Sequence, residues 1–398
     1  MTTPQDHHIL IVVENLPVPL DRRVWLEATS LKNAGYEVSI ISPMGRGWDA
    51  PYEIIDGVHI YRHPLPLEAH SGIGAYLREY THAIWHWFRL ARIVWQRHPF
   101  DAIQGCNPPD LVFLLALWYR RCGVRYMFDH HDVSPELYEA KFRKRGSVYS
   151  LMRVFERISF KVADVSMATN DSFRDIAVSR GGKHPDDVFT VRSAPRTEHF
   201  LPASGDQTYR KEAGTLVGYV GVIGQQEGMD LLVRAADYLV NTLAANIHFL
   251  IIGFGPARRD MVRDVADHGL DAYFTFAGPL YDCDLLAALN AIDIGVAPDP
   301  KNAMNDISTM NKVMEYMALE KPVVQFDLTE GRVSAKQASL YAKGNCPIHF
   351  AHQIDKLRKD PALCKQMGQS GRQRVVTELS WAHSELQLLA AYDRLFTK

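Results

Sequence analysis

The sequence predicts an α/β protein of two doubly wound domains, each a parallel sheet with helices on both faces. Three observations carry this. Short apolar, β-branched runs alternate with longer stretches of helical period through the first half, the pattern of repeated β–α units. The alternation restarts at Thr215. Between the halves, residues 195–214 are polar, rich in Gly and Pro and without period, and read as a linker. A length of 398 residues suits two or three domains at about 150 residues each.

In order, HILIVV at 8–13 is a first strand. Residues 21–34 are helical and close at Gly35-Tyr36, and EVSII at 37–41 is the next strand. Ala102-Ile103 lies in a third, before an apolar helix over 109–121, and RYMFD at 125–129 is a fourth. Residues 165–168 and 188–191 end this half. TLVGYV at 215–220 opens the second half, followed by a helix over 229–243, a strand at 247–252 and a helix over 257–268. Strands at 273–277, 292–297 and 322–326 continue it, and residues 380–395 form a last helix. The expected division is 1–200, 201–378 and a closing helix at 379–398, whose return to the first domain is left open. Such sheets hold ligands beyond the carboxyl ends of their strands. Two facing domains put the main site in the cleft between them.

Composition narrows the function. At 47% hydrophobic and 23% charged, the chain can build its cores without staples. Lys plus Arg is 44 against 46 Asp plus Glu, too balanced for a general nucleic-acid binder, so no nucleic-acid partner is expected. The longest strongly apolar run, residues 111–119 between Asp110 and Arg120, is far short of the roughly 20 residues of a membrane span. The start, MTTPQDHH, lacks the layout of a signal peptide. Five scattered cysteines without CxxC argue against a zinc or disulfide framework and suit a reducing cytoplasm. No metal is expected: the HHD triplet at 130–132 has no companion cluster, and the one DxD, Asp282 to Asp284, falls where capping a helix start explains it equally.

Six segments carry chemistry. In DISTMNKVMEYMALEKPVVQF at 306–326, Met310, Val313, Met314 and Met317 make an inward stripe, with Lys312 and Glu315 off it and three apart. Ser308 and Thr309 are caps at the helix start. Free N–H groups, hydroxyls and a lysine there make an anion site, and a carboxylate one turn on can accept both hydroxyls of a ribose. The same spacing is met by an exposed Lys–Glu pair on an ordinary helix. GYVGVIGQQEG at 218–228 follows a strand and precedes a helix; it is either a tight turn or a phosphate-binding loop, and it lacks the GxGxxG spacing of a dinucleotide fingerprint. GFGP at 253–256 is a short turn with two glycines. DHHDVSPE at 129–136 ends a strand with a histidine among carboxylates, suited to carrying a proton or holding a sugar hydroxyl. ENLPVPLDRR at 14–23 ends the first strand in a Pro-bearing loop, which favours an acceptor over a nucleotide there. Arg22 and Arg23 meet an acceptor phosphate or are solvated charges. On the helix 73–97, Ile84, Trp87, Phe88, Ala91 and Trp95 form a core stripe. Around it Arg78, Trp85, Arg89, Arg92 and Arg97, with Lys141, Arg143, Lys144 and Arg145, offer either a solvated side or a basic aromatic face for an anionic membrane.

The segment MEYMALEKPVV resembles the nucleotide-sugar site of retaining glycosyltransferases of family 4 (glycosyl transferases group 1), which have the GT-B fold of two Rossmann-like domains. That family carries two glutamates eight residues apart. Here Ile307 takes the first place, Glu320 takes the place of a glycine, and NDISTMNKVMEYMA at 305–318 resembles a branch with an STMNKxMEYMA segment. The loop GVIGQQEG is similar to that branch's, with Val222 or Ile223 and Glu227 where the wider family has Arg and Lys. The GFGP and HD-x-x-PE segments recur in the family order.

The resemblance implies a retaining, metal-independent glycosyltransferase with a nucleoside-diphosphate sugar as donor and no other cofactor. It assigns the ribose to Glu315 and the leaving diphosphate to Lys312, Ser308 and the loop at Gly221 and Gly224. Asn305, Asp306 and Ser308 become contacts to donor sugar and phosphate, with Gly253 near the base. His131, followed by Asp132, lies at the reacting sugar, and Arg22 and Arg23 lie on the acceptor side. The implied acceptor is a saccharide or lipid-linked saccharide of surface polysaccharide or glycoconjugate assembly. The enzyme would be cytoplasmic, with peripheral contact at the inner face of the membrane. A nucleotide-sugar epimerase of the same fold and a non-catalytic subunit of a transferase complex are the alternatives.

Overall fold

The computed structural model describes residues 7–65, 73–142 and 144–398. The chain divides into two compact units, Met1–Arg192 with Ser384–Lys398, and Ser193–His383.

The first unit's strands are β1 (His8–Val12), β2 (Glu37–Pro43), β3 (Tyr52–Ile55), β4 (Val58–His63), β5 (Ala102–Cys106), β6 (Arg125–His130), β7 (Val165–Ala168) and β8 (Val188–Thr190). They lie in the order β3-β4-β2-β1-β5-β6-β7-β8. Every pairing is parallel except β3 with β4. β1 is central and wholly buried, as a run of Ile, Leu and Val requires. Its helices are α1 (Arg22–Asn33), α2 (Ile73–Arg97), α3 (Phe113–Tyr119), α4 (Ser134–Phe142), α5 (Ser147–Val162) and α6 (Asp171–Ser179). Asp21 caps α1 by accepting the Val24 N–H at 3.2 Å.

Two features differ from the sequence-based expectation. β3 and β4 form a hairpin outside the β–α alternation. Its turn is Asp56-Gly57 with φ of 49° and 78°, the positive-φ pair that a two-residue hairpin turn needs. On α2 the fully buried apolar residues, among those described, are Ala83, Trp87, Leu90, Ala91 and Val94. Ile84, Phe88 and Trp95 of the expected stripe are only half-buried. Both sets obey helical spacing; the sheet selects the face.

The second unit's strands are β9 (Thr215–Val220), β10 (Ile247–Ile252), β11 (Phe274–Gly278), β12 (Ile294–Ala297), β13 (Val323–Phe326) and β14 (Ser339–Ala342). They run all parallel in the order β11-β10-β9-β12-β13-β14. Around them lie α7 (Met229–Asp237), α8 (Arg258–Asp267), α9 (Asp282–Ala291), α10 (Asn311–Ala318), α11 (Thr329–Ala335), α12 (Pro347–Lys359) and α13 (Pro361–Arg374). One face of the sheet packs Tyr219 and Phe249 with Leu232 and Phe350. The other packs Leu250 with Leu289, Met314 and Met317, so the methionine stripe of α10 points inward as read.

The residues read as a linker are part of this unit. Ala203 N–H donates to Asn290 Oδ1 at 2.9 Å and Asp206 N–H to Ala287 O at 3.0 Å. Arg210 grips Asp293 through two bonds of 2.6 and 3.0 Å. The polar groups that suggested solvent are bonded to α9 and its neighbours, which moves the boundary from residue 200 to Arg192. The last helix, α14 (Trp381–Thr397), joins the first unit from Ser384 on. There Tyr392 O–H donates to Gln104 Oε1 at 2.5 Å, Arg394 bonds Asp187 at 3.0 Å, and Phe396 stacks on His7 at 3.8 Å.

Candidate functional site

Because β10, β9 and β12 are adjacent and parallel, the loops after them leave the same edge of the second sheet. The loop after β9 is pinned to the one after β10. Gly221 N–H donates to Ile252 O at 3.0 Å, Ile223 N–H to Phe254 O at 2.8 Å and Ala257 N–H to Ile223 O at 2.9 Å. Gly253 has a φ of 134°, and a Cβ there would strike the Gly221 carbonyl. Gly228 has a φ of 69° and its missing Cβ leaves room for the Pro298 carbonyl. Glycine is thus required at both places by backbone approach.

The segment after β12 completes the edge. Asn305 is buried, and its Nδ2 donates to Gln226 O at 3.2 Å and Pro300 O at 2.9 Å, tying this segment to the glycine loop. Asp306 accepts the Thr329 N–H at 2.9 Å and hydroxyl at 3.0 Å and meets Lys301 at 3.1 Å. It caps α11, and those contacts hold its carboxyl below the usual range against the upward push of burial. Ser308 is not the cap expected of it. Its hydroxyl turns back to Met304 O at 2.7 Å, and the residue before α10, Met310, offers no side-chain cap. Within the first turn of α10 the Val313 N–H donates to Met310 O at 3.0 Å.

Lys312 reaches both oxygens of the buried Asp299, at 3.0 and 2.9 Å, and lies 4.8 Å over the Tyr219 ring. Its partner is therefore Asp299, at the end of β12, and not Glu315 as spacing suggested. Glu315 is half-buried one turn along the same helix. Asp299 and Tyr219 were not singled out by sequence; an acid just past a strand's carboxyl end was the available signal. Glu227 folds back against Gly224, where a Cβ would meet its Oε2. Burial pushes the Glu227 carboxyl up to about 7; Asp299 adds to the rise, while Lys312 and the N–H groups of Glu227 and Gly224 oppose it.

The first unit gathers a different cluster around β5 and β6. Arg23 is buried, donates to Asp129 Oδ1 at 2.9 Å and Val191 O at 2.6 Å, and pairs with Glu27 at 3.0 Å. This is a correction to its acceptor role: its guanidinium is spent inside the unit. Arg22 is exposed. Gln104 Nε2 bridges Glu27 at 2.7 Å and Asp129 at 3.0 Å. His131 Nε2 lies 2.6 Å from Asp129 Oδ2. Burial pushes the His131 ring down, but Asp129 outweighs it and the ring's pKa is raised. Asp132 is raised mainly by burial. Asn107 Oδ1 accepts the N–H groups of His131 at 2.6 Å and Asp132 at 3.1 Å, which fixes this strand end. Glu136 is bound by Arg180 at 2.5 Å. Among the described residues, Glu27, Cys106, Asp129 and His131 hold ligand-type atoms within 4.8 Å of one another. The positive charge facing both carboxylates is Arg23.

Asp282 and Asp284 lie in the first turn of α9 without capping it, where the helix dipole favours negative charge. Arg78, Trp85, Arg89 and Arg92 are exposed on α2, as are Lys141, Lys144 and Arg145, while Arg143 lies outside the described residues. No helix among the described residues is long and apolar enough to cross a membrane.

Residues 20–192 match the family model described as Glycosyl transferase 4-like domain, and residues 214–360 the one described as Glycosyl transferases group 1. A curated relative, 2-deoxystreptamine glucosyltransferase of Streptomyces kanamyceticus, is 25% identical over 317 residues, 76% of this chain and 80% of the relative. Among solved structures, sucrose-phosphate synthase of Thermosynechococcus elongatus aligns with a TM-score of 0.77 at 16% identity, over 98% of this chain and 99% of that one. Anabaena HepE, solved with UDP and glucose, aligns with a TM-score of 0.72 at 11% identity, over 98% of this chain and all (100%) of that one.

Proposed function

We infer, for a chain that is a glycosyltransferase of the GT-B fold, that it takes a sugar from a nucleoside diphosphate bound by the second unit and retains its anomeric configuration without a metal. One observation carries the donor reading. The start of α10, the glycine loop and Lys312 held by Asp299 stand at one edge of the parallel sheet. Aligned N–H groups and a lysine suit a diphosphate. Glu315, next along α10, accepts the ribose hydroxyls. A single glutamate where the family has a pair supports reading this chain as one of the STMNKxMEYMA branch of family 4.

As the bond from the sugar's C1 to the phosphate oxygen breaks, Lys312 and the N–H groups take up the charge left on the diphosphate. The acceptor oxygen bonds to C1 from the face the diphosphate leaves. The departing phosphate oxygen takes the acceptor's proton, so no protein nucleophile and no cofactor is needed. His131, held by Asp129 through one ring nitrogen, orients a sugar hydroxyl with the other. The acceptor is a saccharide or a lipid-linked saccharide of surface polysaccharide or glycoconjugate assembly. Exposed Trp85 with Arg89 and Arg92 supports peripheral contact with an anionic membrane surface.

A calorimetric and thermal-shift panel of UDP, GDP, ADP and CMP tests the donor site. The wild type binds one nucleoside diphosphate selectively, and Glu315→Ala loses about a hundredfold in affinity, about 3 kcal/mol for hydrogen bonds to a charged group. A folded wild type that binds none of them ends the reading.

A further inference from the structure

The glycine loop of the second unit contains an anion of its own. Glu227 closes the turn Gln225–Glu227 between two glycines, and its side chain lies back against Gly224. Its Oε2 is enclosed and has no hydrogen-bond partner in the structure, while the N–H groups of Glu227 and Gly224 near the carboxyl favour the anion without offsetting its burial. A buried carboxylate oxygen without a donor is costly as an anion, and as an O–H it calls for one acceptor.

The charged and titratable groups facing it come from three elements. Asp299, past β12, is a second carboxylate and pushes Glu227 toward its neutral form. Lys312, on α10, pulls the other way, but both its short contacts are with Asp299. Tyr219, on β9, turns its hydroxyl to Val222 O at 2.6 Å and offers Glu227 nothing. Two carboxylates therefore share one ammonium before any ligand arrives. A diphosphate seated at the start of α10 adds at least two more negative charges, and like charges at close range cannot all persist.

We propose that Glu227 is the proton-carrying residue of the donor site: the diphosphate binds together with one proton, taken up by this carboxyl, and the neutral acid donates its O–H to a phosphate oxygen. The inference rests on the donor reading above. Burial and Asp299 have already lifted the free carboxyl to about 7, so the uptake costs little near neutrality. The carboxyl is half neutral at that pH. Below it the free protein is already protonated and binding is unlinked to pH. Above it each bound diphosphate must bring a proton, and affinity falls as pH rises.

The test titrates UDP, with ADP and GDP in parallel, into the full chain and into Glu227→Gln at about pH 6 and about pH 8, values one unit either side of the free carboxyl's. The glutamine imitates the neutral acid. Using the ratio of the two dissociation constants cancels the nucleotide's own ionisation. The wild type binds as tightly as the variant at the lower pH and about tenfold more weakly at the higher one. Calorimetry in buffers of different ionisation enthalpy shows close to one more proton taken up by the wild type at the higher pH. Glu227→Ala, read alongside in case the glutamine variant fails to fold, also loses the extra pH dependence and binds more weakly than glutamine because it has no donor. A ratio that stays constant with pH, or a slope that survives in both variants, overturns the proposal and leaves the donor site standing. Absence of nucleotide binding in wild type and variants alike overturns the donor reading, and this inference with it.

Discussion

Around β5 and β6 of the first unit, the buried carboxylates Glu27 and Asp129 both meet a buried arginine. Arg23 serves Glu27 and Asp129, His131 serves Asp129, and Gln104 links both carboxylates to Tyr392 of the last helix. At the corresponding edge of the second unit the count does not balance. Asp299 takes Lys312, and Glu227 is left enclosed beside them. Both sets stand on parallel sheets, where α/β folds place ligands. Position on the sheet therefore does not separate a binding site from a structural tie. Ion pairing does: a network whose two acids share a buried arginine holds elements together, here α1, β5, β6 and α14, while an acid left outside the local ion pair has chemistry left to offer.

The largest effect expected from breaking this contrast is Arg23→Ala. It strands Glu27 and Asp129 in the first unit and costs about 3–5 kcal/mol in urea unfolding, the usual loss when one partner of a buried pair is removed. A loss below about 1 kcal/mol, the level of an exposed pair, removes the structural reading of that network. Next is Lys312→Ala. It lowers nucleoside-diphosphate affinity about a hundredfold, or about 3 kcal/mol, as truncating a desolvated charged contact does. Unchanged affinity in calorimetry makes the second cluster as structural as the first.

The smallest effect concerns pH. Burial lowers the His131 ring, Asp129 raises it further, and the native value stands above the ordinary one of about 6.5. The bond to Asp129 therefore stabilises fully below that ordinary value and is lost as pH rises through the native one. Urea midpoints compared at acid and alkaline pH across that window show wild type losing up to about 1.5 kcal/mol more than His131→Gln, the scale of one charged hydrogen bond. Equal losses in the two proteins contradict it.

Much of this was legible in residues. The β-branched runs at 8–12, 215–220 and 247–252 are buried central strands wherever they are placed, because nothing else hides so much Ile, Leu and Val. The Asp56-Gly57 pair carried its hairpin in plain sight, but a two-strand excursion is easily lost inside a β–α rhythm. Residues 195–214 misled for a physical reason. Polarity reports only that a group wants a partner, and Asn290 and Asp293 supply it as water would. On α10 the inward methionines followed from period alone, yet Lys312, the neighbour of Glu315 by spacing, bonds Asp299, which arrives from another strand.

Sequence by itself determined the fold class, the restart at Thr215, the central strands, the inward face of α10 and the segments whose residue types could meet a nucleotide sugar. These follow from periodicity and backbone chemistry, which act between near neighbours. Tertiary structure alone decided which face α2 buries, that Arg23 is enclosed, that Ser308 turns away from the helix it precedes, and that Glu227 lies beside Asp299. Each of these depends on groups far apart in the chain competing for one partner, and the outcome of that competition is set by packing distance, which no local pattern encodes.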